Sequence, residues 1–156
     1  MSLPRRLVAV EWAHKCEVPD FARTKRASGT RALGLAYERK LAKVLPAGAL
    51  HGQWFIYRAD GRVGYCQPDF LLKGKSEVAV LEAKLADVEL AWDQLKCLYT
   101  PVLRHFYERE PLCVVVTRSV ARVPANAEVC ETLKDALRVA RAGLMPVLHW
   151  IGTGRI

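Results

Sequence analysis

The chain has 156 residues, of which 51% are apolar, so it is long enough to bury one hydrophobic core without disulfides or metal staples. Its 24 Lys and Arg outnumber its 16 Asp and Glu, and the net charge of +8 favours a polyanionic partner. No stretch approaches about 20 continuous apolar residues, and residues 7–10 are too short for a secretory core. We therefore expect a cytoplasmic protein with no membrane partner.

The cysteines exclude two further classes of protein. They are Cys16, Cys66, Cys97, Cys113 and Cys130, and they include no CxxC pair and no Cys/His cluster of zinc-site spacing. We therefore expect reduced, mostly buried thiols rather than a disulfide framework or a zinc site.

Residues 1–28 are predicted to be a basic arm that precedes a single domain over residues 29–156. Trp12 and Phe21 lie between basic side chains, so the arm could grip phosphates and stack on unpaired bases. Alternatively, residues 7–12 form a short strand or helix packed on the domain, with solvated charges around it. The candidate nucleic-acid contacts along the whole chain are Arg23, Lys25, Arg26, Arg31, Arg39, Lys43 and Arg62.

The first predicted helix extends from Thr30 to Leu45, because good helix formers fill the segment and Pro-Ala-Gly follows it. Ser28 or Thr30 is expected to cap its first turn. The face that should look toward the sheet carries Gly34, Glu38, Leu41 and Leu45. Because glycine inside a helix costs about 1 kcal/mol relative to Ala, Gly34 is expected to permit close approach of backbone or substrate. Glu38 is either a site residue or a surface glutamate paired with its basic neighbours.

The next predicted elements are strands. Residues 51–58 form one, and Asp60-Gly61 turns the chain toward the strand that carries Asp69. Residues 67–72 and 77–85 are two apolar runs separated by a Gly-containing turn, which indicates a hairpin. Residues 78–81 are apolar on both faces, as in a strand that is covered on both sides.

Charged side chains lie at the open end of this hairpin. With the turn centred on Gly74-Lys75, Asp69 is opposite Val80 and shares a face with Glu82 and Lys84. Because an unpaired buried carboxylate is costly, the convergence of two carboxylates and one lysine indicates a bound cation. The alternative is a Glu/Lys pair on an exposed strand end beside an unrelated Asp.

The C-terminal half adds alternating helices and strands. Residues 88–108 are predicted to form a helix that Asp87 caps and Pro101 kinks or splits. A buried strand over residues 112–117 and an amphipathic helix over residues 131–142 follow. Residues 144–151 form a last strand, for which Pro146 favours a sheet edge. The elements together predict a single α/β domain with a central mixed β-sheet flanked by helices.

Two motifs carry a resemblance to a known family. Pro68-Asp69, followed by Glu82-Ala83-Lys84 on the next strand, resembles the signature of the PD-(D/E)XK nuclease superfamily. GLAYERKL, residues 34–41, is similar to the Gly-x-x-x-Glu-Arg-x-Leu motif of archaeal-type Holliday-junction resolvases, a branch that phages also encode. The chain departs from that family in its longer basic arm and in residues 58–66, which replace a Ser/Gly loop before the Asp.

The resemblance implies a restriction-endonuclease-like fold and Mg²⁺-dependent hydrolysis of phosphodiester bonds, with Mn²⁺ able to substitute. Asp69, Glu82 and the carbonyl of Ala83 would hold the metal, Glu38 would complete its site, and Lys84 would orient the attacking water. It also implies a homodimer that cuts four-way junctions in DNA, in the host cytoplasm if a phage encodes it.

Two alternatives stay open. The first is another nuclease of the superfamily, either restriction-type or a RecB-like exonuclease with its Gln-x-x-x-Tyr pattern. Gln94 and Tyr99 approach that pattern but are one residue too far apart. The second is a basic nucleic-acid-binding module in which the carboxylates are structural.

Overall fold

Two β-sheets and four α-helices are formed by residues 7–23 and 29–156, the part of the chain that the computed structural model describes. The strands are β1 (Leu7–Ala13), β2 (Leu50–His51), β3 (Trp54–Ala59), β4 (Arg62–Cys66), β5 (Phe70–Lys73), β6 (Val78–Lys84), β7 (Leu112–Thr117), β8 (Ala127–Cys130) and β9 (Met145–His149). The helices are α1 (Thr30–Val44), α2 (Val88–Gln94), α3 (Thr100–Tyr107) and α4 (Leu133–Arg141). A π-helical turn, Leu95–Tyr99, joins α2 to α3. The predicted α/β domain with a mixed sheet flanked by helices is confirmed.

Among the described residues, the central sheet has six strands in the order β2-β5-β6-β7-β9-β8. β5 and β6 are antiparallel, whereas β6, β7, β9 and β8 are parallel to one another. Because side chains alternate between the two faces of a strand, Leu81 packs in the cluster with α1 and α4, and Val80 packs in the cluster with α2 and α3. Residues 78–81 are buried, as their continuous apolar run predicted.

The second sheet is antiparallel, and its described strands have the order β1-β3-β4. β1 pairs with β3, which confirms the interpretation of residues 7–12 as a strand. Asp60 and Gly61 join β3 to β4 with φ angles of 48° and 72°, in the tight turn that the Asp-Gly pair predicted. The turn leads to β4, which has no counterpart among the predicted elements, so the prediction that it leads directly to the Asp69 strand is wrong. The domain boundary predicted at residue 28 lies outside the described residues.

α1 covers the predicted segment, but Thr30 is its first residue rather than its N-cap. Its N-cap is Gly29, which has a φ of 56° and no side chain to accept a hydrogen bond, and Ser28 lies outside the described residues. Leu41 and Leu45 bury the second half of the helix in the core, whereas Leu33 in the first half is 58% exposed. α1 is therefore held on the sheet mainly through its C-terminal half.

The helix predicted over residues 88–108 is present, but it is interrupted before Pro101 rather than at it. Its N-cap is Asp87, whose carboxylate accepts a hydrogen bond from the Leu90 N–H at 3.0 Å, as predicted. The interruption is the π-helical turn, where the Thr100 N–H bonds to the carbonyl of Leu95, five residues earlier. Because Pro101 supplies no N–H to the preceding turn, the chain can widen there by one residue.

The C-terminal strand does not lie where it was predicted. β9 lies between β7 and β8, so the prediction that Pro146 marks an edge strand is wrong, and the unpredicted β8 forms the edge. β9 pairs with β7 only from Val147 onward, so Pro146 precedes the ladder on that side and costs it no hydrogen bond. α4 lies within the predicted amphipathic segment and buries Leu133 and Ala136 on one face.

Two expectations drawn from composition concern membranes and cysteines. No helix within residues 7–23 and 29–156 is long and apolar enough to cross a membrane. All five cysteines are free, as predicted, but Cys16 and Cys97 are exposed rather than buried.

Leu41→Ala is expected to destabilise the protein by about 2–5 kcal/mol, because it leaves a cavity between α1 and the sheet. Leu33→Ala on the same helix should change the free energy of unfolding by less than about 0.5 kcal/mol, since Leu33 is exposed. Urea denaturation of the two variants measures the difference. Equal losses would show that α1 is not anchored through its C-terminal half.

Candidate active site

The charged end of the β5–β6 hairpin is assembled in a register that differs from the predicted one. Val80 is opposite Leu71 and Leu81 is opposite Phe70, so Val80 is not opposite Asp69, and the same register continued by one residue leads from Asp69 to Glu82. The shift is two residues, and because side chains alternate along a strand, the predicted face is unchanged. Asp69, Glu82 and Lys84 therefore converge, as the sequence indicated, and Asp69 is closer to Glu82 than was expected.

Glu82 is a charged residue in the core. Its side chain is only 2% exposed, and its Oε1 accepts a hydrogen bond from Lys84 Nζ at 2.9 Å. Its other oxygen, Oε2, is buried and has no hydrogen-bond partner among the described residues. Burial raises the pKa of Glu82, and the charge and hydrogen bond of Lys84 act in the opposite direction. One buried carboxylate oxygen is thus left available.

Asp69 is the second carboxylate of the site. Its Oδ2 accepts a hydrogen bond from the Ala83 N–H at 2.8 Å, which fixes the side chain against the end of β6. Burial raises the pKa of Asp69 well above its usual range, and the negative charges of Glu82 and Glu38 raise it further. The charges of Glu82 and Glu38 are therefore close enough to Asp69 to disfavour its ionised form.

Glu38 reaches the site from α1, on the opposite face of the sheet from Glu82. Its Oε1 is 2.6 Å from Nε2 of His51, at the end of β2. The His51 ring stacks on Phe70, with ring centroids 4.6 Å apart. This histidine was not predicted as a site residue, because only the pairing of β2 with β5 brings it beside Asp69. A His next to a Gly turn gives no such indication in the sequence.

A cleft of about 380 Å³ opens between the first half of α1 and the end of β6. Glu38, Asp69, Ala83 and Lys84 line it, whereas Glu82 approaches from the buried side. Gly34 also lines the cleft, and a Cβ added there would meet no heavy atom within 4 Å. The fold itself therefore does not need a glycine at this position, so the alternative of substrate approach is the one that stays open.

The donor set suits a hard divalent cation, although it is not a ready-made cage. Within residues 7–23 and 29–156, no three His, Cys, Asp or Glu side chains are already grouped as metal ligands. Asp69 and Glu82 nevertheless offer carboxylate oxygens, one of them buried and unpartnered, and a cation would relieve their mutual repulsion. Glu38 is engaged by His51 and would join by exchanging that partner or through water. The residues present fit a magnesium ion chemically.

Tyr99 lies beside these carboxylates, and Gln94 precedes the π-helical turn that contains Tyr99. The Tyr99 hydroxyl donates to the carbonyl of Gln67 at 3.2 Å. Burial raises the pKa of Tyr99, and the negative charges of Glu82 and Asp69 raise it further, so the phenol lies near both. Gln94 Oε1 is buried and accepts no hydrogen bond from the described residues.

Three of the predicted nucleic-acid contacts lie near the site. Arg31 lines the cleft, and Arg23 and Arg39 line a neighbouring cavity. Lys43 and Arg62 are exposed and line neither cavity. Lys25 and Arg26 lie outside the described residues.

Comparisons with known proteins add no relative. No protein-family model, curated protein or solved structure matches this chain. A function for the chain must therefore be argued from the geometry of the site.

Asp69→Asn is expected to stabilise the protein when no divalent cation is present. Folding raises the pKa of Asp69 above its usual 3.8, so the ionised carboxylate costs stability as the pH rises through and beyond that value. Asparagine removes this cost and keeps an acceptor for the Ala83 N–H. Urea denaturation between about pH 4 and pH 8 should show a gain that grows with pH. Asp93→Asn, at an exposed position of α2, is the control and should show none.

The same proteins test cation binding without any nucleic acid. Mg²⁺ should raise the Tm of the wild type and of Asp93→Asn, because a ligand stabilises the state that binds it. Asp69→Asn should show a much smaller shift. Equal shifts in all three proteins would remove Asp69 from the cation site.

Proposed function

We propose that the protein is a metal-dependent DNA nuclease of the PD-(D/E)XK type, which hydrolyses phosphodiester bonds in the cleft beside α1. The observation that carries this proposal is the buried carboxylate of Glu82, which lies beside Asp69. One of its oxygens is bonded to Lys84, and the other has no partner in the described part of the chain. Crowding buried carboxylates is costly for the fold, and a cation bound for catalysis is a physical reason to retain them.

Each residue has a chemical part in the proposed reaction. Asp69, Glu82 and the carbonyl of Ala83 would hold Mg²⁺, or Mn²⁺ in its place, with Glu38 acting directly or through water. The bound cation would polarise the scissile phosphate and lower the pKa of a water molecule. Lys84 lines the cleft and would orient that water and offset the charge of the pentavalent state.

For the substrate, we propose a four-way DNA junction. The support is the Gly34-to-Leu41 motif on α1, whose Gly34 and Glu38 both line the cleft, together with Arg31 at the same opening. Cutting two strands of a junction symmetrically requires two active sites, so the proposal includes a homodimer. Long-range attraction of a polyanion follows from the excess of basic residues.

Lys84→Ala is expected to lower the single-turnover cleavage rate by about 10²-fold or more with little loss of affinity, because its proposed part is in the transition state. Lys75→Ala, which removes an exposed lysine from the β5–β6 turn, is the control and should cleave normally. A weaker affinity, with the salt slope reduced by about one and the rate unchanged, would make Lys84 a phosphate contact instead.

A second candidate, an end-dependent RecB-like exonuclease, is favoured by the π-helical turn. The spacing of Gln94 and Tyr99 exceeds the Gln-x-x-x-Tyr pattern by one residue, and the turn between them repeats from i to i+5 rather than i to i+4. It can therefore bring residues five apart onto one face, as an α-helix does for residues four apart. Tyr99 lies near the carboxylates, and Gln94 has a buried side-chain oxygen that has no hydrogen-bond partner in residues 7–23 and 29–156.

The ends of the DNA separate the two candidates. We expect the protein with Mg²⁺ to cut a four-way junction whose arms are closed by hairpins, since a resolvase needs no free end. Labelled linear duplex, single strand and flap DNA are the comparison substrates. Cleavage only of DNA with free ends would favour the exonuclease. Binding without cleavage of any substrate would leave the non-catalytic module.

A further inference from the structure

A second cavity, of about 420 Å³, lies on the other side of Glu38 from the catalytic cleft. Leu35 and Glu38 of α1 line both cavities, so the two are neighbours along the helix. Basic side chains come to the second cavity from three parts of the chain: Lys15 from the short turn after β1, Arg23, and Arg39 of α1. None of the proposed catalytic steps uses this cavity.

The polar groups of the cavity are unevenly satisfied. Gln67 already donates to the carbonyl of Gly52 at 2.8 Å, and His51 is bonded to Glu38. Lys15 and Arg39, by contrast, form no ion pair with the described residues. The side chains of the cavity that lack an ion pair in the described residues are therefore the cations Lys15 and Arg39, which indicates an anionic rather than a neutral ligand.

Arg23 supplies an independent observation. Its terminal nitrogen pairs with the exposed Asp20, but its Nε is buried and has no hydrogen-bond acceptor among the described residues. A buried N–H without a partner is costly, and a guanidinium is well shaped to bind two oxygens of one phosphate. Arg23 lines the cavity together with two more cations, and this combination favours a phosphate as the missing acceptor.

We infer that this second cavity binds a phosphate group of the nucleic-acid strand that enters the catalytic cleft, through Lys15, Arg23 and Arg39. The inference rests on the proposed function for its ligand class. Because Glu38 and Leu35 form the wall between the cavities, a strand that crosses them would have one phosphate at the carboxylates and another among the cations. The second phosphate would fix the position of the strand without taking part in the chemistry.

Arg39→Gln and Lys40→Gln form the matched pair of variants. They are adjacent exposed positions of α1 and lose the same charge, but only Arg39 lines the cavity. Affinity for a junction DNA and for a single strand is measured in Ca²⁺, with each phosphate in turn replaced by a neutral methylphosphonate. DNA with a 5′-phosphate is compared with DNA that has a 5′-hydroxyl end.

For the wild type and Lys40→Gln, one replacement is expected to weaken binding roughly tenfold, and Arg39→Gln should be insensitive to that same replacement. If the sensitive group is the 5′-phosphate, the cavity takes a strand end, and if it is an internal phosphate, the cavity takes the continuing strand. Identical profiles for Arg39→Gln and Lys40→Gln, or no binding of any DNA, would overturn the inference.

Cleavage of unmodified DNA in Mg²⁺ is a separate readout for the proposed function. Cleavage by all three proteins with identical methylphosphonate profiles would reject the cavity and keep the nuclease. An Arg39-dependent profile without any cleavage would keep the cavity as a phosphate site and reject the nuclease.

Discussion

Glu82 and Lys84 are two residues apart on β6, so they project from the same face, and their contact allows a carboxylate to remain in the core. An ionised carboxylate buried alone would cost several kcal/mol, and one lysine cannot balance the further charges of Asp69 and Glu38. The remaining cost in free energy must be offset by the burial of the apolar side chains of β6 and β7, which lie between helices on both faces of the sheet. The apolar burial of β6 and β7 thus stabilises a region that contains a buried carboxylate.

The elements that were predicted correctly have their causes in nearby residues. A continuous apolar run identifies β6, and an Asp-Gly pair identifies the β3–β4 turn, because both depend on local backbone and solvent preferences. The face shared by Asp69 and Lys84 was also predictable, since alternation sets the face. The register was not, because the turn closes with the Gly74 N–H bonded to the carbonyl of Glu77, a choice that the pattern of apolar residues does not specify.

Pairings between distant segments account for most of what was missed. The choice between strand and helix for β1 depended on its pairing with β3, and the two-residue β2 exists only because β5 lies beside it. His51 reaches Glu38 through that second pairing, so its place in the site has no local sequence pattern. Pro146 can likewise lie in an interior strand only because β9 pairs with β7 from Val147 onward, one residue after the proline. Pro101 is a local cause of the π-helical turn, but the sequence predicted only a kink or a split at Pro101 and not a π-helical turn before it.

The uneven anchoring of α1 has a consequence for motion. Its C-terminal half, with Leu41 and Leu45, can lose its backbone hydrogen bonds only when the core opens, so its amide hydrogens should exchange with solvent through global unfolding. The turns around Leu33 and Gly34 bury little and can open locally at a much lower free energy. Glu38 lies between these two parts of the helix. The C-terminal half of α1 therefore fixes the position of Glu38. The N-terminal half, which borders the cleft, can open locally and so adjust to a bulky ligand.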